Sequence, residues 1–493
     1  MLKVQKAAVL TAKRDAFPHQ VEAIEAIRDL EYAAVFHEQG LGKTKIGLDL
    51  ALSWLSRDIA DSVIIVTKKS LIENWRAEIK THSYVTPRII GQDRNANFYA
   101  FNSPARVYLA HYEAMLSERK RLELFLKTRR VAVVLDEAHK IKNPEAAVAE
   151  ALHGLADGFV RRVIMTGTPV ANRPYDLWSQ IRFLDGGATL GDDFGSFRQA
   201  MDLANDFGTE TDRAVAFADE LEVVFAKIKP FCVRETKKTS GLSLPSKEIS
   251  NVFVELEPRQ AELYAQFRDE LAAIVVREGR AVLDDAEGIL KRLLRLVQVA
   301  SGPQMVDQNY HSTPGKLPIL EGLLHAAVDA GEKAVVWTAF TENAEFLARH
   351  LDPLGVALVH GGLSMAKREA ALAAFKTDDE CRVLIATPGA AKEGLTLTVA
   401  NHAIFYDRTF SLDDYLQAQD RIHRISQDRT CFVTNLVARD TVDEWVDALL
   451  SAKHLAAQLG QGDISREEYD AKADYAFGPM VREVLRLDKE NVL

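Results

Sequence analysis

The sequence predicts an α/β chain built on two parallel sheets, each covered by helices on both faces. Short, continuously apolar, β-branched runs alternate with helical stretches, and the same alternation returns in the second half of the chain. Continuously apolar strands between helices are buried on both faces, as in a parallel sheet, whereas a half-exposed antiparallel strand alternates polar and apolar residues.

In the first half the runs are Ala33-Ala34-Val35-Phe36, Ser62-Val63-Ile64-Ile65-Val66, Arg106-Val107-Tyr108-Leu109, Val131-Ala132-Val133-Val134-Leu135 and Val163-Ile164-Met165. In the second they are Lys333-Ala334-Val335-Val336-Trp337, Ala357-Leu358-Val359, Arg382-Val383-Leu384-Ile385 and Ala403-Ile404-Phe405-Tyr406. These define α/β domains over residues 1–187 and 313–447. Residues 188–312 carry long helical patterns, Pro258 to Glu278 and Ala286 to Gln298, with little strand signal, and read as a helical insertion and linker. Residues 448–493 read as a short helical C-terminal tail with a capping box at Ser465 and Glu468.

Composition agrees with a folded chain of two or three units. At 493 residues it is too long for one compact domain, and 47% hydrophobic with 27% charged residues excludes wholesale disorder and collagen. Cys232, Cys381 and Cys431 lie far apart with no C-x-x-C pair, which argues against a disulfide scaffold or structural zinc and for a reducing compartment. No apolar run approaches the roughly 18 to 20 residues that cross a bilayer, and the first residues lead into no secretory h-region. The expected location is cytoplasmic, with no membrane partner.

The net charge of −10 argues mildly against a polyanion partner. Binding, however, depends on local fields within a Debye length of about 8 to 10 Å. Residues 119–130 hold Arg119, Lys120, Arg121, Lys127, Arg129 and Arg130 against Glu123, and residues 227–247 hold Lys227, Lys229, Arg234, Lys237, Lys238 and Lys247 against Glu235. Each stretch suits either a solvated face or a polyanion contact.

After the run ending at Phe36 comes Glu38-Gln39-Gly40-Leu41-Gly42-Lys43-Thr44, which opens a helical pattern. Gly40 and Gly42 permit a tight loop whose N–H groups face phosphate oxygens at a helix N-terminus. Lys43 would reach the β- and γ-phosphates and the Thr44 hydroxyl would ligate Mg²⁺. His37 stands where the first glycine of G-x-x-x-x-G-K-[ST] would fall. At the end of another apolar run, Asp136-Glu137-Ala138-His139 places two carboxylates at the carboxyl edge of the sheet, where open α/β folds bind ligands. Asp136 suits the Mg²⁺ water shell and Glu137 suits the base for an attacking water.

From these residues the chain resembles the SWI/SNF-like branch of superfamily-two DEAH-box helicases and DNA translocases. Phe17-Pro18-His19-Gln20 resembles the adenine-reading glutamine motif, Glu38 to Thr44 motif I, Ser70-Leu71-Ile72-Glu73-Asn74-Trp75 motif Ia, and His111-Tyr112-Glu113 motif Ib. Asp136 to Asn143 is similar to the long motif II of this branch, and Met165-Thr166-Gly167-Thr168-Pro169 followed by Asn172 to motif III. Arg234 to Lys238, Leu244 to Lys247 and Leu256 to Tyr264 resemble the family's protrusion and linker; His360-Gly361-Gly362, Thr387 to Leu397 and Asp420 to Gln427 resemble motifs IVa, V and VI. The departures are Thr67-Lys68-Lys69 where a proline is usual, Lys392 where glycine is common, and Thr409-Phe410-Ser411-Leu412 in place of Trp-Asn-Pro.

The resemblance implies two RecA-like domains, ATP and Mg²⁺ as cofactors, and DNA-stimulated ATP hydrolysis that drives movement along double-stranded DNA. It implies nucleotide contacts from Gln20, Gly40, Gly42, Lys43, Thr44 and Asp136, the base Glu137, and Gln417, Arg421 and Arg424 as catalytic residues of the second domain. Arg421 and Arg424, expected on one helical face, would be arginine fingers for the γ-phosphoryl group when the domains close. Nucleic-acid contacts would come from Lys68, Lys69, Ser70, Lys237, Lys238, His360, Gly361, Thr387 and Lys392. A monomeric motor with a protein partner in a DNA-processing complex is expected. A strand-separating helicase and an ATP-gated scaffold share the same motifs and remain open at this point.

Overall fold

The structure, a computed structural model, describes residues 9–91, 93–170, 174–201, 211–242, 244–278, 286–391, 396–472 and 484–486. The chain divides into two compact units. One comprises the chain up to Met201 with Asp219–Leu242 and Gly460–Asp463, and the other contains Ser243–Leu459.

The first unit holds β1 (Tyr32–Val35), β2 (Ser62–Thr67), β3 (Arg88–Ile90), β4 (Val107–His111), β5 (Val131–Asp136), β6 (Phe159–Met165) and β7 (Cys232–Val233). They form one parallel sheet in the order β3-β4-β2-β5-β6-β1-β7. Every residue of β2 and β5 is buried, as continuous apolar runs require. The helix Lys43–Ser56 packs on this sheet through Ile46, Leu50 and Trp54, in a core that also takes in Val63, Trp75 and Val134. Because the strands run parallel, the loops after β1, β2, β4, β5 and β6 all emerge at one carboxyl edge. Those loops carry His37 to Gly42, Lys68 to Ser70, Tyr112, Glu137 and Gly167.

The second unit holds β8 (Lys247–Val254), β9 (Ala334–Trp337), β10 (Val356–Val359), β11 (Val383–Ala386), β12 (His402–Phe405) and β13 (Cys431–Ala438), parallel in the order β10-β11-β9-β12-β13-β8. The parallel α/β expectation therefore describes both sheets. Residues 188–312, expected to carry little strand, supply β7 to the first sheet and β8 to the second. β8 is half polar and mostly exposed, so its extended form comes from pairing along its whole length with β13. β13 went unread because Thr434 and Asn435 interrupt its apolar run; Asn435 is satisfied by Asn251 at 2.9 Å and by the Tyr415 hydroxyl at 3.0 Å.

The expected helices are present as Pro258–Glu278 and Ala286–Ser301. Their described residues Tyr264, Leu271, Leu293 and Val297 share a core with Trp445 and Leu449 of the helix Val442–Gly460. The capping box forms: the Glu468 N–H donates to Ser465 Oγ and the Ser465 N–H to Glu468 Oε2, both at 3.2 Å. Among the described residues no helix is long and apolar enough to cross a membrane.

Candidate functional site

The loop between β1 and the helix Lys43–Ser56 turns on Gly40 (φ 87°) and Gly42 (φ 76°), both left-handed. A Cβ on Gly42 would lie 2.3 Å from Gln20 Nε2, so this position is closed to larger residues on two counts. Gln20 is tied to the loop: its Nε2 donates to the Leu41 carbonyl at 3.1 Å, while its Oε1 accepts the Phe17 N–H at 3.0 Å. Lys43 Nζ donates to the carbonyls of His37 at 3.0 Å and Glu38 at 3.4 Å, and Thr44 is half-buried in the first helical turn. His37, in the place of the usual glycine, is only 2% exposed. Burial, with Lys43 and His19 beside it, pushes its pKa down to about 4.

A second wall of the loop comes from the segment around β7. The Phe36 N–H donates to Val233 O and the Glu38 N–H to Glu235 O, while Glu38 Oε2 accepts the Lys237 N–H at 2.8 Å. The Lys237 ammonium lies 3.8 Å from Glu38 Oε1 and its side chain is 9% exposed. Arg234 donates to the Phe36 carbonyl and pairs with Asp463.

Asp136 ends β5 as a buried carboxylate. Its Oδ2 accepts from Trp75 Nε1 at 2.7 Å and from Thr67 Oγ1 at 3.2 Å, and its own carbonyl accepts the Tyr112 hydroxyl at 2.8 Å. Burial and then the Glu137 charge push the carboxyl up to about 6, against the opposing pull of Trp75 and Lys43. Glu137 sits at φ 55°, ψ 50°, a left-handed conformation that costs a β-carbon residue about 1–3 kcal/mol. That strain is of the kind stored at functional positions. Its Oε2 lies 3.3 Å from His139 Nδ1 without making a hydrogen bond. The turn after β6 closes on the same loop, since a Cβ on Gly167 would meet the Gln39 side chain at 2.8 Å.

This donor set fits a magnesium nucleotide. The Thr44 hydroxyl and Asp136 carboxylate are hard oxygens of the kind Mg²⁺ prefers. Both hydrogen bonds received by Asp136 engage Oδ2. The Gly42 cradle leaves backbone N–H groups at a helix N-terminus for phosphate oxygens.

In the second unit one expectation needs correction. Arg421 and Arg424 do not share a helical face: the helix Leu412–Gln419 ends before them, and residues 420–426 form successive turns. The cause is local hydrogen bonding. The Arg421 N–H bonds Ala418 O, the Gln427 N–H bonds Arg424 O, and the Gln427 side chain ties down the carbonyls of Thr398, Ala400 and Ile422. Arg421 is buried, and Arg424 donates to the Asp420 carbonyl at 2.9 Å and to Thr396 Oγ1 at 3.0 Å. Gln417 is buried and donates to Asp413 Oδ1 at 2.6 Å.

The expected nucleic-acid residues fall in different settings. Lys69 and Ser70 are exposed and Lys68 half-buried at the carboxyl edge of the first sheet; Lys238 is exposed. His360 is buried and accepts the Gly362 N–H at 3.2 Å. Gly361 and Thr387 line a cleft of about 350 Å³ at the carboxyl edge of the second sheet, together with Arg368, Asp407 and Arg408. Lys392 and Asn172 lie outside the described residues. Much of the 119–130 cluster is locally paired: Arg119 with Glu123, Arg121 with Glu118, and Arg130 with Asp58 and Asp61. Sequence reasoning did not place Thr67, Trp75, Arg368 or Asp463 beside the site; Thr67 and Trp75, at the two ends of motif Ia, were the ones with a signal in the sequence.

Residues 19–305 match the SNF2-related domain and residues 315–426 the helicase conserved C-terminal domain. A putative ATP-dependent helicase/translocase of Bacillus subtilis is 29% identical over 85% of this chain and 45% of its own length. An uncharacterized ATP-dependent helicase of Mycoplasma pneumoniae is 27% identical over 87% of this chain and 40% of its own. The chromodomain-helicase-DNA-binding protein 1-like of Danio rerio is 27% identical over 87% and 42%. The chain thus spans less than half the length of these relatives. The solved SWI2/SNF2 ATPase core of Sulfolobus solfataricus in complex with dsDNA aligns over 97% of this chain and 98% of its own, at 24% identity and a TM-score of 0.42.

Proposed function

The chain belongs to the SNF2-related domain family, and we propose that it is a DNA-stimulated motor whose ATP hydrolysis drives movement along duplex DNA. It is an ATP-hydrolysing enzyme of that class. The observation that carries the reading is the meeting of the Gly42-Lys43 loop with Asp136 and Glu137 at one carboxyl edge of the first sheet.

In this reading the loop N–H groups and Lys43 bind the phosphates, Gln20 reads the adenine, and Thr44 and Asp136 hold Mg²⁺. Bound Mg²⁺ would supply charge neutralisation for the phosphoryl oxygens. Glu137 orients and deprotonates the attacking water. Arg421 and Arg424 add positive charge that answers the γ-phosphoryl group, and Gln417 supports them.

The track is held through its phosphates by Lys68, Lys69, Ser70 and Lys238, and by Gly361 and Thr387 with Arg368. Lysines and backbone turns of this kind bind without reading sequence. Magnesium, duplex preference and a protein partner belong to the same proposal. ATP turnover measured with duplex DNA, single-stranded DNA and RNA tests it: duplex should stimulate most, and maximal stimulation by RNA would overturn it. The relatives named as helicases favour a second reading, strand separation, which a forked-duplex unwinding assay distinguishes.

A further inference from the structure

Two buried donors hold the same oxygen of Asp136, and they bracket one short surface segment. Thr67, the last residue of β2, donates its hydroxyl to Asp136 Oδ2 at 3.2 Å, and Trp75 donates its indole N–H to that oxygen at 2.7 Å. Thr67 and Trp75 are themselves buried, Trp75 in a core with Leu71, Ile72 and Ile79. Between them run Lys68, Lys69 and Ser70, then a short 3₁₀ turn, Lys69–Leu71, leading into the helix Ile72–His82. Lys69 and Ser70 are exposed.

We infer that Thr67 and Trp75 are positioning residues for Asp136, and that a nucleic-acid phosphate gripped at Lys68, Lys69 and Ser70 acts on that carboxylate through them. The inference rests on the proposed function for what occupies the segment and on the two hydrogen bonds for how the effect travels. Two donors on one oxygen fix the carboxylate plane. Water has no ready access to replace a buried donor, so a shift of either one changes the orientation of Asp136. A phosphate at the surface of the segment lies within a few residues of both donors. Coupling then needs only a small rotation where β2 passes into the helix.

Two variants separate this from a packing role. Trp75→Phe keeps an aromatic ring in the core but deletes the N–H together with the pyrrole half of the indole; Thr67→Val keeps the shape and deletes only the hydroxyl, so it is the control for packing. The first measurement is whether duplex stimulates ATP turnover by the wild-type chain. If it does not, the proposed function fails before this inference is reached. If it does, each variant should lose about tenfold of that stimulation, the scale of a buried hydrogen bond to a charged group, with an unchanged dissociation constant for duplex. A variant that keeps full stimulation overturns the inference. The second measurement is ¹⁹F NMR of chain labelled with 5-fluorotryptophan. The sequence has 5 tryptophans, and Trp75→Phe identifies the Trp75 signal. Duplex added without nucleotide should move that signal in the wild type and leave it in place in the double variant Lys68→Ala, Lys69→Ala. A Trp75 signal unmoved by saturating duplex overturns the coupling.

Discussion

Arg234 and Asp463, 229 residues apart in the chain, form a two-pronged ion pair, with Nε reaching Oδ1 at 3.1 Å and Nη2 reaching Oδ2 at 2.6 Å. The side chains are 18% and 14% exposed. The same guanidinium donates to the Phe36 carbonyl at the entry to the phosphate loop, so residues 460–463 brace that loop from outside. Asp463→Ala leaves Arg234 half-buried without its carboxylate and should destabilise the brace by about 1–3 kcal/mol. Hydrogen exchange at the Phe36 and Glu38 amides, which pair with Val233 and Glu235, should quicken accordingly. Unchanged protection would remove the brace.

His37 gives the first unit a pH dependence of its own. Histidine ordinarily titrates near 6.5, and here burial, Lys43, His19 and Arg234 lower it to about 4. Between those values the unfolded chain takes up a proton that the folded chain refuses. The associated stability is full above pH 6.5 and falls as pH drops toward 4. From pH 7 to pH 5 the loss should be about 2 kcal/mol, and His37→Asn, which cannot titrate, should lose that much less. Urea midpoints at the two pH values measure the difference; parallel losses in both chains would contradict it.

Lys316 carries a fully buried charge. Its ammonium lies 2.5 Å from Asp443 Oδ2 and donates to the Tyr406 carbonyl at 2.9 Å, with side chains 0% and 5% exposed. Asp443→Asn strands that charge and should cost about 3–5 kcal/mol. Joint replacement, Lys316→Met with Asp443→Leu, should recover much of the loss. Thermal denaturation of the second unit checks both, and a neutral single variant would mean that the pair is not carrying charge.

The neighbouring lysines 237 and 238 should behave differently. Lys238→Glu should weaken duplex binding and lower its salt slope by about one unit. Lys237 faces Glu38 of the phosphate loop, so Lys237→Glu should chiefly weaken ATP binding. Dissociation constants for duplex across a salt series, and for ATP, separate the two. An equal loss of slope in both would return Lys237 to the nucleic-acid surface.

The legible parts of this chain are those where chemistry dictates residue type locally. The strands β2, β5 and β9 are buried on both faces and read as apolar runs. Gly42-Lys43-Thr44 and Asp136-Glu137 read as a nucleotide site because loop geometry and charge constrain each position. β8 was not legible, because its half-polar, mostly exposed sequence is held extended by β13. The end of the helix at Gln419 was hidden because the turns after it are held in part by Gln427, whose side chain also bonds Thr398 and Ala400 almost thirty residues back, and the settings of Lys237 and Trp75 depend on Glu38 and Asp136 far away in sequence. Spacing shows none of these, because each is a product of the folded sheet edge.

Displacement of a third strand from triplex DNA tests the central claim most directly, because a motor moving along a duplex strips the third strand without opening the duplex beneath. The wild-type chain should release it only with ATP and Mg²⁺, while Glu137→Gln should bind ATP and duplex yet release nothing. A chain that hydrolyses ATP on duplex but leaves the third strand in place, or a Glu137→Gln variant that strips it at the wild-type rate, would contradict the account.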